Sequence, residues 1–156
     1  MPRLPSVLVY LRRDDELLLM HRHKEPNLGL WVAPGGKVEL DESPHETARR
    51  EMYEETGLTV EHLEFRALGT EVSPLPDWQW LLFIYVATGF SGTLKPDLRE
   101  GSLAWVTPER YLAELSIPQA DALFAPLVLD PAVPFFEAKF TYDADLRLVE
   151  WERYET

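Results

Sequence analysis

One stretch limits the fold of this chain more than any other: SPHETARREMYEETG, residues 43–57. Ser43 offers an N-cap oxygen. Pro44 stands at the first helical position, where its missing N–H costs nothing, and Glu46 completes a capping box. Gly57 suits the left-handed residue that closes a helix. The spacing predicts a helix over about 44–56. Its acids sit at the wrong end, because Glu51, Glu54 and Glu55 crowd the carbonyl terminus, where negative charge costs stability. On a helical wheel, Ala48 and Met52 lie about 40° apart and mark a buried stripe. Glu55 falls about 20° from Ala48, Glu51 about 60° and Glu54 about 120°. The acidic patch therefore overlaps the packed face, and a carboxylate there stays ionised only if a positive group meets it. Arg50 is one candidate partner. A divalent cation is another, since three carboxylates form a hard oxygen set that suits Mg²⁺ or Mn²⁺ rather than zinc. Gly35 and Gly36 precede the helix and would let the backbone approach a metal or phosphate closely. The plain alternative is a solvated acidic face.

The remaining chain alternates short strands with two further helices. Residues 6–11 and 17–22 read as strands around a polar turn, and 24–30 as a loop. Residues 31–39 read as strand, glycine turn and strand. Residues 59–70 form a strand, 73–78 a loop, and 79–87 a strand apolar on both faces, hence central and doubly covered. A loop over 89–101 leads to a strand at 102–106, helices at 108–115 and 118–129, and a terminal hairpin of 135–143 and 146–154 around a two-residue turn. This mixture predicts an α+β class, an α/β/α sandwich with a mixed central sheet, in a single domain over 1–156.

Charge and composition exclude several functions. The net charge is −12 and the pI about 4.7. A groove for a nucleic-acid polymer would be basic, because phosphate neutralisation supplies most of its affinity. A small anionic ligand remains compatible if a cation mediates its binding. The chain has no cysteine, which removes disulfides, thiolate metal sites and cysteine nucleophiles, and fits a cytoplasmic protein. No apolar run is long enough to span a membrane, and the N-terminus lacks a signal-peptide pattern.

From Gly36 the chain reads Gly36, five residues, Glu42, seven residues, Arg50-Glu51, Met52, one residue, Glu54-Glu55, one residue, Gly57 and Leu58. This resembles the complete box of the Nudix hydrolases over residues 36–58. Seven fixed positions at roughly 7% each would match by chance on the order of once in 10⁸ starts. Many members have glycine where this chain has Asp41, a position outside the fixed pattern. The resemblance implies hydrolysis of a nucleoside diphosphate linked to another group. It also implies Mg²⁺, with Mn²⁺ substituting, on Glu51, Glu54, Glu55 and the Gly35 carbonyl. Arg50 would orient Glu51, and Glu42 would support the site. Lys37 would either touch phosphate or be a solvated strand lysine. Glu100, five residues before Trp105, would act as a metal ligand or general base.

The tail IPQADALFAPLVLDPAVPFFEAKFTYD resembles the C-terminal part of the mammalian 8-oxo-dGTPases of that family. By position, Asp121 and Phe124 would contact a purine, with Leu81 as an apolar wall. Two positions depart from that pattern. Ala120 stands where a second aspartate is expected, and Val32 where an asparagine is, which implies a less polar base pocket. The substrate class is then a nucleoside triphosphate, oxidised or not, cleaved to monophosphate and pyrophosphate by a monomer or homodimer. Two alternatives stay open. Pro74 matches the offset of a proline found in ADP-ribose hydrolases of the family. A degenerate ligand-sensing domain is the non-enzymatic option, although such domains usually lose the box carboxylates and all are present here.

Overall fold

The computed structural model describes residues 2–95 and 100–155. The first helix, α1 (Pro44–Thr56), has the predicted bounds. The Glu46 N–H donates to Ser43 Oγ at 3.1 Å, and the Ser43 N–H donates back to Glu46 Oε1 at 3.0 Å. Gly57 ends the helix at φ 83°, where a side chain would be strained and would also meet the Thr93 carbonyl.

The sheet is mixed. Its path runs β3 (Trp31–Val32), β2 (Glu16–Arg22), β1 (Leu4–Arg13), β6 (Trp80–Gly92), β5 (Leu58–Val72), β8 (Phe136–Tyr142) and β9 (Leu148–Tyr154). Two short strands lie off this path: β4 (Gly35–Lys37) pairs with β1, and β7 (Gly101–Val106) with β2. The β1–β6 and β5–β8 pairs are parallel and the others antiparallel. As expected, β6 is central and covered on both faces. Leu82, Ile84 and Val86 belong to one core, Tyr85 and Ala87 to the other.

Helices complete the layers on each side. Ala48 and Met52 of α1 pack on Val7, Val9 and Leu11 of β1 and on Leu58 and Val60 of β5. On the opposite face, Tyr111 of α2 (Pro108–Ala113) and Ala120, Phe124, Ala125 and Val128 of α3 (Gln119–Val128) cover Tyr10, Leu17, Leu19, Phe136 and Phe140. Arg66 anchors the carbonyl end of α3 with hydrogen bonds to Val128 O at 3.1 Å and Asp130 O at 3.0 Å. Arg12 donates to Leu129 O at the same end. These cations meet the negative end of the helix dipole and fix the position of Asp121 in its first turn.

Three local expectations change. Strand β6 continues to Gly92, so the loop expected from residue 89 starts later, and residues 96–99 of that loop lie outside the described residues. The two strands expected within 31–39 form, and they join different neighbours, β3 to β2 and β4 to β1. Helix α2 stops at Ala113. The hairpin turn is longer than two residues, because Asp143 Oδ1 accepts from the N–H groups of Asp145 at 2.9 Å and Arg147 at 3.0 Å and shapes a wider Asx-type loop.

One feature of the sheet creates the site. Strands β1 and β2 pair at Arg12–Leu17 and Arg13–Glu16, next to their turn. Beyond that they diverge. Gly35 and Gly36 of β4 take the β1 edge at Leu8 and Val7, while β3 takes the β2 edge at Met20 and His21. The split opens a cavity between the two helical layers.

Candidate active site

The cavity has a volume of about 390 Å³. At one end it is lined by Glu51 and Glu55 of α1, Gly35, Gly36 and Lys37 of β4, and Glu100. At the other end it is lined by Glu71 of β5, Trp78, Trp80 and Leu82, Asp121 of α3, and Tyr142 of β8.

At the first end, Arg50 gathers the acids on its flank. Its Nε and Nη2 donate to the two Glu42 oxygens at 2.7 and 2.9 Å, a bidentate fork that no lysine could reproduce. Its Nη1 donates to Glu51 Oε1 at 2.6 Å and to Glu54 Oε2 at 3.0 Å. The Arg50 hydrogen bonds hold the Glu42 carboxyl at about 2, well below the usual carboxylate range. Glu51 is pushed upward instead, because its burial outweighs the attraction of Arg50.

Glu55 is out of reach of that cation. It is 8% exposed, and its Oε2 accepts from the Gly35 N–H at 2.9 Å. Burial, then the Glu51 charge, pushes its carboxyl up to about 9; the Gly35 N–H opposes this, and the nearby Glu100 adds to it. Glu100 also pairs with Lys24 at 3.4 Å, and its carbonyl accepts from the His23 N–H, which ties the loop to the end of β2. A Cβ at Gly36 would collide with the Glu51 carboxylate, so glycine there lets the backbone approach the acids.

These residues fit a hard divalent cation. The donors are all oxygens, and Glu55 is a buried carboxyl, raised by burial and out of reach of Arg50, that a bound cation would ionise. As the side chains stand, no three acidic or histidine groups among the described residues form a metal-binding set. Arg50 draws Glu51 and Glu54 to itself, and Gly35 offers Glu55 its N–H. The Glu54 side chain is 56% exposed and lies outside the cavity lining. Lys37 is exposed, with its Nζ 5.9 Å from the Trp80 ring centre.

The second end differs from expectation. Asp121 lines the cavity and is 6% exposed. Phe124 does not line it: the ring is fully buried in the core, in an edge contact with Phe140 at 6.0 Å. Leu81 does not line it either. Side chains alternate along β6, so Trp80 and Leu82 face the cavity and Leu81 faces away. The expected contacts of Phe124 and Leu81 with a base are therefore withdrawn. Val32 lies on the wall, and Ala120 is buried in the core. Pro74 is exposed and outside the lining.

The pocket is also more polar than those two substitutions implied. Glu71 was missed, yet it left a signal. It lies in phase with Ala67 and Gly69 on the buried side of β5, where a carboxyl needs a reason. Burial pushes it up to about 7, against the pull of the Tyr142 hydroxyl and the Trp78 indole. Asp121 is pushed well above its ordinary value, by burial first and then by the Glu71 charge. The indole N–H of Trp78 is close enough to Glu71 to favour its charged form, but neither it nor that of Trp80 has a partner in good hydrogen-bond geometry.

The NUDIX domain matches residues 2–127, and the chain belongs to the Nudix hydrolase family, as a MutT-like member with the mixed-sheet α+β fold of that family. It is 35% identical over 98 residues to an uncharacterized Nudix hydrolase, YvcI, of Bacillus subtilis, covering 61% of this chain and 60% of that protein. It is 34% identical over 82 residues to the NAD-capped RNA hydrolase NudC of Haemophilus influenzae, covering 51% of this chain and 30% of that protein. The chain thus matches less than two thirds of the length of these relatives. A solved MutT protein from Bacillus halodurans is 31% identical, with a TM-score of 0.86, over 96% of this chain and 97% of that one. Nudix hydrolases generally use a divalent metal and act on small nucleotides. No described helix is long and apolar enough to cross a membrane.

Proposed function

We propose that this chain is a Mg²⁺-dependent nucleotide pyrophosphohydrolase whose main substrates are nucleoside triphosphates, oxidised forms included, cleaved to monophosphate and pyrophosphate. One observation carries this reading: a single cavity joins the box acids Glu51 and Glu55 to a polar, aromatic-walled end at Asp121. A triphosphate needs both halves, an anion-handling end that works through cations and a base-sized recess beyond it. The chain's net charge of −12 fits a polyanion only if cations intervene.

We assign Glu51, Glu54 and Glu55, with the Gly35 carbonyl, to hold the metal. The cation would neutralise the pyrophosphate, lower the pKa of an attacking water and stabilise the leaving oxygen. Arg50 keeps Glu51 and Glu54 oriented, and Glu42 keeps Arg50 in place. Glu100 either adds a ligand oxygen or accepts the proton of the attacking water. Lys37 meets phosphate at the mouth. In balance, water adds to phosphorus, one bridging P–O bond breaks, and the released proton passes to a carboxylate. Asp121 reads the base. A single-domain, cytoplasmic enzyme is part of this proposal, in keeping with the absence of cysteine.

A dinucleotide or nucleoside-diphosphate-linked substrate is the second reading, supported by the name of the NudC relatives. Its sequence marker, Pro74, lies away from the cavity, and the triphosphate reading is preferred. The test is a panel of dNTPs, oxidised dNTPs, ADP-ribose, NAD, sugar nucleotides and dinucleoside polyphosphates with Mg²⁺, following phosphate and pyrophosphate separately. Pyrophosphate release from triphosphates at the highest kcat/KM is expected. Turnover confined to ADP-ribose or NAD would overturn the triphosphate reading.

A further inference from the structure

Glu71 lies outside the Nudix box, on the strand that leads away from α1, and the catalytic reading gives it no task. It is 6% exposed, as is Asp121, and both carboxyls line the inner end of the cavity. Among the described residues no lysine, arginine or histidine pairs with either acid, so the burial of two carboxyls is not explained by an ion pair. An apolar pair of similar size would pack there at less cost. What surrounds them suits a flat ligand. Trp78 and Trp80 stand edge to face at 5.8 Å and 83°, and Trp78 meets Tyr142 at 6.2 Å and 74°. These rings supply aromatic surface around a recess with acceptor oxygens at its end.

We propose that Glu71 acts with Asp121 as a two-carboxyl reader that accepts N–H groups from a nucleobase bearing an exocyclic amino group, and so selects such bases over those lacking it. Carboxyl oxygens are acceptors: guanine meets them with adjacent N1–H and N2 amino donors, and adenine and cytosine with an amino donor beside a ring-nitrogen acceptor, which a protonated carboxyl matches with its O–H. A base without the amino group leaves a buried acceptor unpaired, and that loss makes its binding about tenfold weaker. The second acid that Ala120 fails to provide beside Asp121 is supplied by β5 instead. This inference rests on the nucleotide reading of the cavity.

The test compares ligand pairs that differ by one amino group: GTP with ITP, and ATP with purine riboside triphosphate. Initial rates are measured with Mg²⁺. Binding of the corresponding monophosphates without metal is followed by tryptophan fluorescence. In the wild type at least one pair should favour the amino-bearing member by about tenfold in kcat/KM and in Kd. Glu71→Met, which removes the acceptor, should abolish that preference, and Glu71→Gln, which keeps one carbonyl acceptor, should retain part of it. Indifference of the wild type to both pairs overturns the inference without any variant. An intact preference in a folded Glu71→Met protein overturns it equally. Hydrolysis without amino preference removes this inference and leaves the catalytic reading standing. Amino-selective binding of monophosphates without hydrolysis of any nucleotide does the reverse.

Discussion

The two ends of the cavity both concentrate acids, and they manage the charge differently. At the α1 end, Arg50 compensates Glu42, Glu51 and Glu54 directly, and Glu55 is left for a second cation. At the α3 end, Glu71 and Asp121 have no cation among the described residues, and burial raises both carboxyls with no site nearby for a cation to reverse it. Carboxylates in charged form attract metal, and the metal in turn holds polyphosphate. Carboxyls near neutrality make directional hydrogen bonds with a base at little electrostatic cost. The difference separates chemistry from recognition, and variants should affect the two ends differently.

The largest effect is expected at the α1 end. Glu54→Gln or Glu55→Gln should lower Mg²⁺-dependent kcat by about 10³-fold, the loss of several kcal/mol of charge stabilisation. Circular dichroism and melting should show the fold retained, since each change removes one charge and almost no volume. Unchanged turnover in either variant would remove the metal assignment. Arg50→Lys should follow with about 10–100-fold lower activity, because an ammonium cannot span Glu42, Glu51 and Glu54 at once. If Arg50→Lys matched wild type, the fork to Glu42 would be incidental.

How far each end was legible in the sequence follows from the same contrast. Helix α1 is specified by local signals, Ser43, Pro44, Glu46 and Gly57, which act within one turn of backbone and need no tertiary context. Its wheel already put Glu55 nearest the packed stripe, where it is buried. The inner end is assembled from β5, β6, β8 and α3, and no spacing along the chain reports that meeting. Phe124 illustrates the limit. It lies three residues after Asp121 on one helix face, but the core beneath α3 turns the ring into the sheet and leaves only Asp121 on the cavity wall. Leu81 failed through strand parity, where an offset of one residue exchanges the two faces. Glu71 escaped notice because residues 59–70 alternate only loosely, and the strand was expected to end before it.

Metal should sharpen the comparison further, because only the α1 end should respond. Saturating Mg²⁺ at about 100 times its Kd would stabilise the fold by about 2.7 kcal/mol. For a chain of this size that raises Tm by roughly 5–10 °C. Glu55→Gln should lose most of the gain and Asp121→Asn should keep it. A melting temperature indifferent to Mg²⁺ in the wild type would contradict the strain assigned to Glu55. Asp121→Asn should instead change relative kcat/KM among bases by about tenfold, with the kcat of the best substrate little altered. Equal losses on all substrates would contradict its role as base reader.

The smallest effect separates the ends by pH. Glu71 is pushed up to about 7 in the folded protein, mainly by burial, from an ordinary value of 4.5. A carboxyl with a raised folded pKa binds its proton more tightly folded than unfolded. Its contribution is fully present below about pH 4.5, falls as pH rises and levels off above about pH 7. Each pH unit in that window corresponds to about 1.4 kcal/mol for a single group, or roughly 3–5 °C in Tm. Glu55 acts with the same sign up to about pH 9 in metal-free protein, so the wild-type slope alone does not isolate Glu71. Melting scans in chelator from pH 4.5 to 8 on wild type and Glu71→Gln resolve it. The variant should lose part of the slope below pH 7 and run parallel to wild type above it. Coincident slopes across the whole range would mean that Glu71 is ionised in the fold, and the contrast between acids that a cation ionises and acids left without one would fail at that residue.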